Sequence, residues 1–240
     1  MEHYKKYFKE GLEQLNIKLD ESKVNQFIDY YNLLIEWNNV MNLTAITEFE
    51  DVIQKHFLDS LALVNAIDLN KIDSLLDIGT GAGFPGLPLK IAFPHLNVVL
   101  IDSLNKRIKF LDHVIQCLNI SSIKAIHGRA EDFANNYDFR ESFDLCVSRA
   151  VANLSSLTEY CLPYVKVGGK FISYKSVDVD NEVNESKNAI FILGGKFNSQ
   201  VKFSLPNTDI NRSFIIIDKC KITPKKYPRK AGMPTKDPIS

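Results

Sequence analysis

Between Leu75 and Gly86 the chain reads Leu-Leu-Asp-Ile-Gly-Thr-Gly-Ala-Gly-Phe-Pro-Gly, and no other stretch restricts the fold as much. An apolar run ends in an acid. Four glycines follow within eight residues, and Leu87-Pro88-Leu89-Lys90-Ile91-Ala92 then opens a helical pattern. The pattern predicts a buried parallel strand over 74–78, a tight turn and a helix N-terminus. Glycines suit such a turn because they reach positive φ and let a ligand approach the backbone closely. The helix start adds unpaired N–H groups and a positive dipole end.

From residue 72 onward strands and helices alternate. Strands are predicted over 74–78, 97–102, 123–126, 143–148 and 170–175, with two more near 197–204 and 213–219. Helices are predicted over 86–93 (stopped by Pro94), 105–118, 154–164 and from about Val179 to Leu193, ending at Gly194-Gly195. Repeated βα units define an α/β class: a doubly wound, mainly parallel sheet with right-handed crossovers. Residues 1–70 read as an N-terminal helical cap. Tyr4, Phe8, Leu12 and Leu15 are at helical spacing. A second helix, capped by Asp20 or Ser22, turns Val24, Phe27, Ile28, Tyr31, Leu34 and Ile35 to one face. It is expected to stop before the Asn-rich Trp37–Thr44. Thr47-Glu48-Phe49-Glu50 reads as a capping box for a third helix with Val52, Ile53, Phe57 and Leu61 inward. The expected organisation is a cap over 1–70, the sheet domain over 71–220, and a basic, Pro-rich tail over 221–240.

Ligands of such sheets bind beyond the carboxyl ends of the strands. Gly81-Ala82-Gly83-Phe84-Pro85-Gly86 spells the dinucleotide fingerprint, which leaves a nicotinamide oxidoreductase open. Asp77 points elsewhere, since a carboxylate at the strand tip repels a pyrophosphate and attracts a sulfonium and an amino group. Asp77 to Gly83 fits the Asp/Glu-x-Gly-x-Gly-x-Gly motif of S-adenosylmethionine (AdoMet) methyltransferases without a gap. Asp102, at the end of the next strand, is placed to accept the ribose hydroxyls of an adenosine. Ala130-Glu131 is placed to read the adenine edge. The candidate cofactor residues are thus Asp77, Gly79, Gly81, Gly83, Asp102, Ala130 and Glu131, in a Rossmann-like, AdoMet-dependent methyltransferase fold. A non-catalytic RNA-binding factor on the same fold is disfavoured by the intact glycine turn.

The fourth strand ends in Ser148-Arg149-Ala150-Val151-Ala152, where the acceptor enters. There is no Asn/Asp-Pro-Pro-aromatic motif for an exocyclic amine and no Pro-Cys nucleophile. An acceptor such as guanine N7, whose lone pair is already available, needs mainly orientation. Arg149 suits a guanine edge or a phosphate.

At this point the chain resembles the bacterial 16S ribosomal RNA guanine-N7 methyltransferases, once called glucose-inhibited division protein B. The resemblance rests on Asp77–Leu89, Asn42-Leu43-Thr44-Ala45-Ile46, His56-Phe57-Leu58-Asp59-Ser60, Asp102-Ser103 through Lys106-Arg107, Gly128-Arg129-Ala130-Glu131, Ser148–Ala152 and Tyr227–Pro234. It runs from about residue 20 to the end of the chain. It departs at Ser173-Tyr174-Lys175-Ser176, where a small residue and Lys-Gly are expected. The resemblance implies AdoMet-dependent N7 methylation of one guanosine in 16S rRNA, with cofactor contacts at Gly79, Phe84, Ala130, Glu131 and Arg149. It raises His56 and Arg229 as candidates. No catalytic acid or base is expected. Substrate positioning falls to His56, Arg149, Lys175, Arg212, Arg229 and Lys230.

Charge and composition fit this picture. The 240 residues carry no net charge, yet 1–70 hold 6 Lys against 12 acids, and 221–240 hold 6 Lys/Arg against one Asp. Such asymmetry suggests that the tail contacts a polyanion, with Tyr227 stacking on an unpaired base. No run of 18 apolar residues occurs and no apolar region follows the N-terminus, so neither a membrane span nor a signal peptide is expected. Cys117, Cys146, Cys161 and Cys220 form no CxxC pair and no metal spacing is visible. The expectation is a cytoplasmic monomer that acts on 16S rRNA or the small subunit, with AdoMet as cofactor and no metal.

Overall fold

The computed structural model describes residues 2–177 and 179–239. Helix α1 (Glu2–Gln14) buries Phe8 and Leu12, while Tyr4 stays on the rim, stacked on Phe49. Asp20 caps α2 (Glu21–Met41), its carboxylate accepting the Lys23 N–H at 2.9 Å. The helix runs through Trp37-Asn38-Asn39-Val40 rather than stopping there. Tertiary packing outweighs the poor helix propensity of Asn: Trp37 lies against Phe110 and His113, with ring centroids 5.7 and 5.1 Å away. The asparagines serve the exit instead. Asn42 takes the left-handed conformation (φ 50°), and the Asn38 side chain accepts the Thr44 N–H at 2.9 Å.

The third helical segment also departs from expectation. Helix α3 (Phe49–Val52) starts without a side-chain cap bond, so no capping box forms. It passes into a π-helical turn (Ile53–Leu58) and α4 (Asp59–Leu61). Val52, Ile53, Phe57 and Leu61 all point inward. The sheet domain follows: β1 (Ser74–Ile78), α5 (Gly86–Ala92), β2 (Asn97–Asp102), α6 (Asn105–Cys117), β3 (Ile123–His127), α7 (Ala130–Phe133), β4 (Phe143–Arg149), α8 (Leu154–Cys161) and β5 (Val165–Lys175). The expected helix after β5 splits into α9 (Asp180–Glu185) and α10 (Lys187–Ile192). The break is at Ser186, whose hydroxyl donates to the Glu182 carbonyl at 2.6 Å. Strands β6 (Gly195–Ser204) and β7 (Asn211–Lys219) and a short helix α11 (Met233–Lys236) complete the chain.

The strand order is β3-β2-β1-β4-β5-β7-β6. β1 to β5 are parallel, and β7 runs antiparallel to both β5 and β6. Alternation along each strand feeds two cores. Leu75, Val98, Leu100, Leu145 and Val147 face one side, where α1, α2, the π-turn, α5 and α6 pack through Phe8, Phe27, Phe57 and Phe110. Leu76, Ile78, Val99, Ile101 and Cys146 face the other, under Leu157, Tyr164 and Ile190. The N-terminal helices therefore share one core with the sheet. The reversal of strand order between β1 and β4 opens the carboxyl edge at that point.

Candidate active site

Asp77 holds the glycine turn from beneath. Its Oδ2 accepts the Thr80 hydroxyl at 2.7 Å and the Gly86 N–H at 2.9 Å, and the residue is wholly buried. Gly86 is required there, because a Cβ would lie 3.0 Å from that oxygen and collide with Leu100. Burial pushes the Asp77 carboxyl up to about 6, against the lowering effect of these two donors. Asp77 thus serves the turn through Oδ2 and lines neither of the two clefts described below, and its Oδ1 is buried without a hydrogen bond among the described residues. Above, Gly81 (φ +63°) leaves open space where a Cβ would project. Its N–H donates to Asp102 Oδ2 at 2.9 Å. Gly83 and Phe84 face inward toward Tyr30, whose hydroxyl donates to the Ala82 carbonyl.

A cleft of about 280 Å³ lies over the carboxyl ends of β1, β2 and β3. Ile78, Gly79, Ile101, Asp102, Ala130 and Glu131 line it, together with Arg129, Val151 and Tyr160. The cleft thus gathers Gly79, Asp102, Ala130 and Glu131 from the expected cofactor set. Asp102 also accepts the Leu104 N–H at 2.9 Å and Arg107 Nη1 at 3.0 Å. Glu131 accepts the Gly232 N–H at 2.8 Å. A carboxylate at the end of β2, apolar Ile78 and Ile101, and free space over Gly81 fit an adenosine-bearing cofactor. Arg129 and Tyr160 also line the cleft and Arg107 braces Asp102; the sequence showed Arg129 only within the Gly128–Glu131 motif and gave no sign of Tyr160. Arg107 was visible only as part of a motif.

A second cleft, about 390 Å³, adjoins it across the β4–α8 turn. Arg149 and Ala150 line this one, while Val151 lines the first. It brings together four of the expected positioning residues, His56, Arg149, Lys175 and Arg212, with Lys55, Asp59 and Phe203. Arg149 lines this cleft and not the first. Its Nη1 donates to Asp59 Oδ2 at 2.5 Å and to the Lys55 carbonyl at 3.1 Å, and its guanidinium lies 5.3 Å from the Phe84 ring centre. Phe84 also lines neither cleft; it stacks on His56 at 4.5 Å. Lys175 donates to Glu182 at 2.6 Å and to the Ala152 carbonyl at 3.0 Å, which ties down the turn between the clefts. His56 Nε2 lies 2.9 Å from Thr44 Oγ1 and Nδ1 lies 3.1 Å from the Lys55 carbonyl. Burial, then the Arg149 charge, lowers the imidazole to about 4, so the ring is neutral at pH 7.

Arg229 and Lys230 lie apart from this cleft; Arg229 is tied down, while Lys221, Lys225, Lys226, Lys230 and Lys236 stay exposed. Arg229 grips Glu159, a carboxylate only 1% exposed on α8, through Nε at 3.0 Å and Nη2 at 2.8 Å. Tyr227 is largely buried, and Lys226 Nζ lies 5.2 Å from its ring centre. Ser156 donates to the Pro234 carbonyl at 2.7 Å, and the hydroxyls of Tyr160 and Thr235 are 2.6 Å apart. Glu159, the partner of Arg229, stands 70 residues earlier, in a helix that also buries Ser155, Ser156 and Thr158.

Solved structures share this architecture. The crystal structure of MtNAS in complex with MTA and tNA aligns with 80% of this chain and 71% of its own length, at a TM-score of 0.54 and 16% identity. A putative O-methyltransferase from Klebsiella pneumoniae aligns over 80% of this chain and 90% of its own, at 0.54 and 14%. These likenesses define the class of fold: a Rossmann-like α/β sheet, here with a cleft over the carboxyl ends of its parallel strands. A family model described as rRNA small subunit methyltransferase G matches residues 23–211. Two proteins named Ribosomal RNA small subunit methyltransferase G are similar over nearly their whole length. The one from Lachnoclostridium phytofermentans is 58% identical over 97% of this chain and 96% of its own; that from Clostridium tetani is 51% identical over 94% of each. The chain belongs to the rRNA small subunit methyltransferase G family.

Proposed function

We propose that this chain transfers a methyl group from AdoMet to N7 of one guanosine in 16S rRNA, acting on the rRNA of the small subunit as a cytoplasmic monomer. One observation carries the reading: the adenosine-fitting cleft and the cation-lined cleft adjoin at Arg149-Ala150-Val151. AdoMet supplies an electrophilic methyl when bound. Asp102, Gly79, Ala130 and Glu131 are the residues to hold it, with Arg107 bracing Asp102. Lys55, Arg149, Lys175 and Arg212 give the acceptor cleft a positive lining suited to a nucleotide phosphate. Guanine N7 carries no proton, so attack needs alignment rather than a base. A neutral His56 and the buried Cys146 and Cys161 are consistent with that economy.

Residues 1–70 act in this scheme as a cap that carries Lys55, His56 and Asp59 to the acceptor cleft, and residues 221–240 as a strap behind the cofactor cleft. Mass spectrometry of 16S rRNA nucleosides from cells lacking the protein tests the proposal. Loss of N7-methylguanosine, restored by the wild-type chain, is expected. Unchanged 7-methylguanosine contradicts it.

A further inference from the structure

Asp59 lines the acceptor cleft, one residue after the π-helical turn. It is 3% exposed, and its two oxygens differ. Oδ2 accepts from Arg149 at 2.5 Å. Oδ1 is buried without a hydrogen bond. Arg212 Nε lies 3.4 Å from Oδ1, an ion-pair distance with no hydrogen bond formed, on a side chain 32% exposed. A buried carboxylate oxygen left unsatisfied is costly and calls for a donor. That oxygen belongs to a cleft-lining residue and lies under a partly exposed cation. The π-turn fits a functional position, since such turns concentrate at sites.

Guanine presents two adjacent donors, N1–H and the 2-amino group, on the edge remote from N7. Adenine presents an acceptor at N1, which a carboxylate repels. On the reading proposed above, we infer that Asp59 is the residue that selects guanine, its Oδ1 accepting from the N1–H and 2-amino edge while N7 is left facing the cofactor cleft. Arg149 fixes the carboxylate through the other oxygen. Arg212 covers Oδ1 in the absence of RNA and moves aside, toward a phosphate, when the base enters.

The test uses a 16S rRNA fragment assembled by ligation, with guanosine, inosine or 1-methylguanosine at the position that the wild-type protein methylates. Inosine lacks the 2-amino group, and 1-methylguanosine lacks the N1–H. Wild-type kcat/KM is expected to fall at least tenfold for each analogue, because a hydrogen bond to a charged group is lost. Asp59→Asn is expected to be slower on guanosine while its guanosine-over-inosine preference shrinks to within about threefold, with AdoMet affinity by calorimetry unchanged. A merely structural role for Asp59 would slow all substrates alike. Equal wild-type rates on the three RNAs overturn the assignment, and this arm stands even if Asp59→Asn does not fold. A folded Asp59→Asn with the wild-type preference overturns it too. A wild-type protein that transfers no methyl to guanosine RNA overturns the broader proposal as well, which separates the two failures.

Discussion

Two residues near the clefts have their charge fixed by their surroundings. His56 is neutral because it is buried beside Arg149. Its folded pKa lies below the ordinary histidine value, so its contribution to stability is present above about pH 6.5 and is lost as pH falls through about 4. Asp77 runs the other way: its contribution is full below about 3.8 and is lost as pH rises through about 6. The two nearly offset each other between those limits, so the melting temperature should vary little from pH 6 to 4.5 on their account. NMR titration of the His56 ring should show no protonation between pH 8 and 5.5; a midpoint near 6.5 would mean that the ring is open to water. Gly81→Val is expected to lose AdoMet affinity at least tenfold in calorimetry. A β-branched side chain at φ +63° would project into space that no protein atom occupies, at a folding cost of about 1–2 kcal/mol. Wild-type affinity in that variant would move the cofactor elsewhere. The glycines, Asp102 and Glu131 were legible because strand ends announce themselves. Asp59 stood out only within the His56–Ser60 motif, because nothing local shows an unpaired oxygen until its neighbours are placed.

Among the elements, the tail shows how far sequence reading reaches. Six cations and four prolines in the last 20 residues suggested an arm along RNA. Its central arginine instead neutralises a buried glutamate, and Gly232 and Thr235 touch Glu131 and Tyr160, which line the cofactor cleft. Arg229→Ala leaves Glu159 buried without its partner and is expected to cost about 3–5 kcal/mol. In a chain of this length that lowers the melting temperature by on the order of 10 °C. AdoMet affinity should fall with it, while the salt dependence of RNA binding stays as in the wild type. A stable variant with a flattened salt slope would restore the tail to the RNA surface. Helix α2 was shortened in the sequence reading for a related reason: Asn residues read as a stop, but Trp37 had a partner on α6 that no local pattern reveals.

For the whole molecule, strand order and cap placement explain why one chain carries two adjoining clefts. The sheet supplies the cofactor side through β1, β2 and β3. The cap brings its π-turn to the β5–β7 half and so builds the acceptor side. Because cap and sheet share a core around Phe8, Phe27 and Phe57, Phe27→Ala is expected to destabilise the entire fold by about 3–5 kcal/mol. It should do so in a single denaturant transition; two separated transitions would show that the cap folds on its own. The central claim is that the two clefts exchange a methyl group across Arg149-Ala150-Val151. The most direct measurement is to incubate the purified chain with methyl-labelled AdoMet and 16S rRNA, digest the RNA and locate the label. The account predicts label at N7 of a single guanosine. Label on an exocyclic amine, on a ribose or on no nucleotide at all contradicts it.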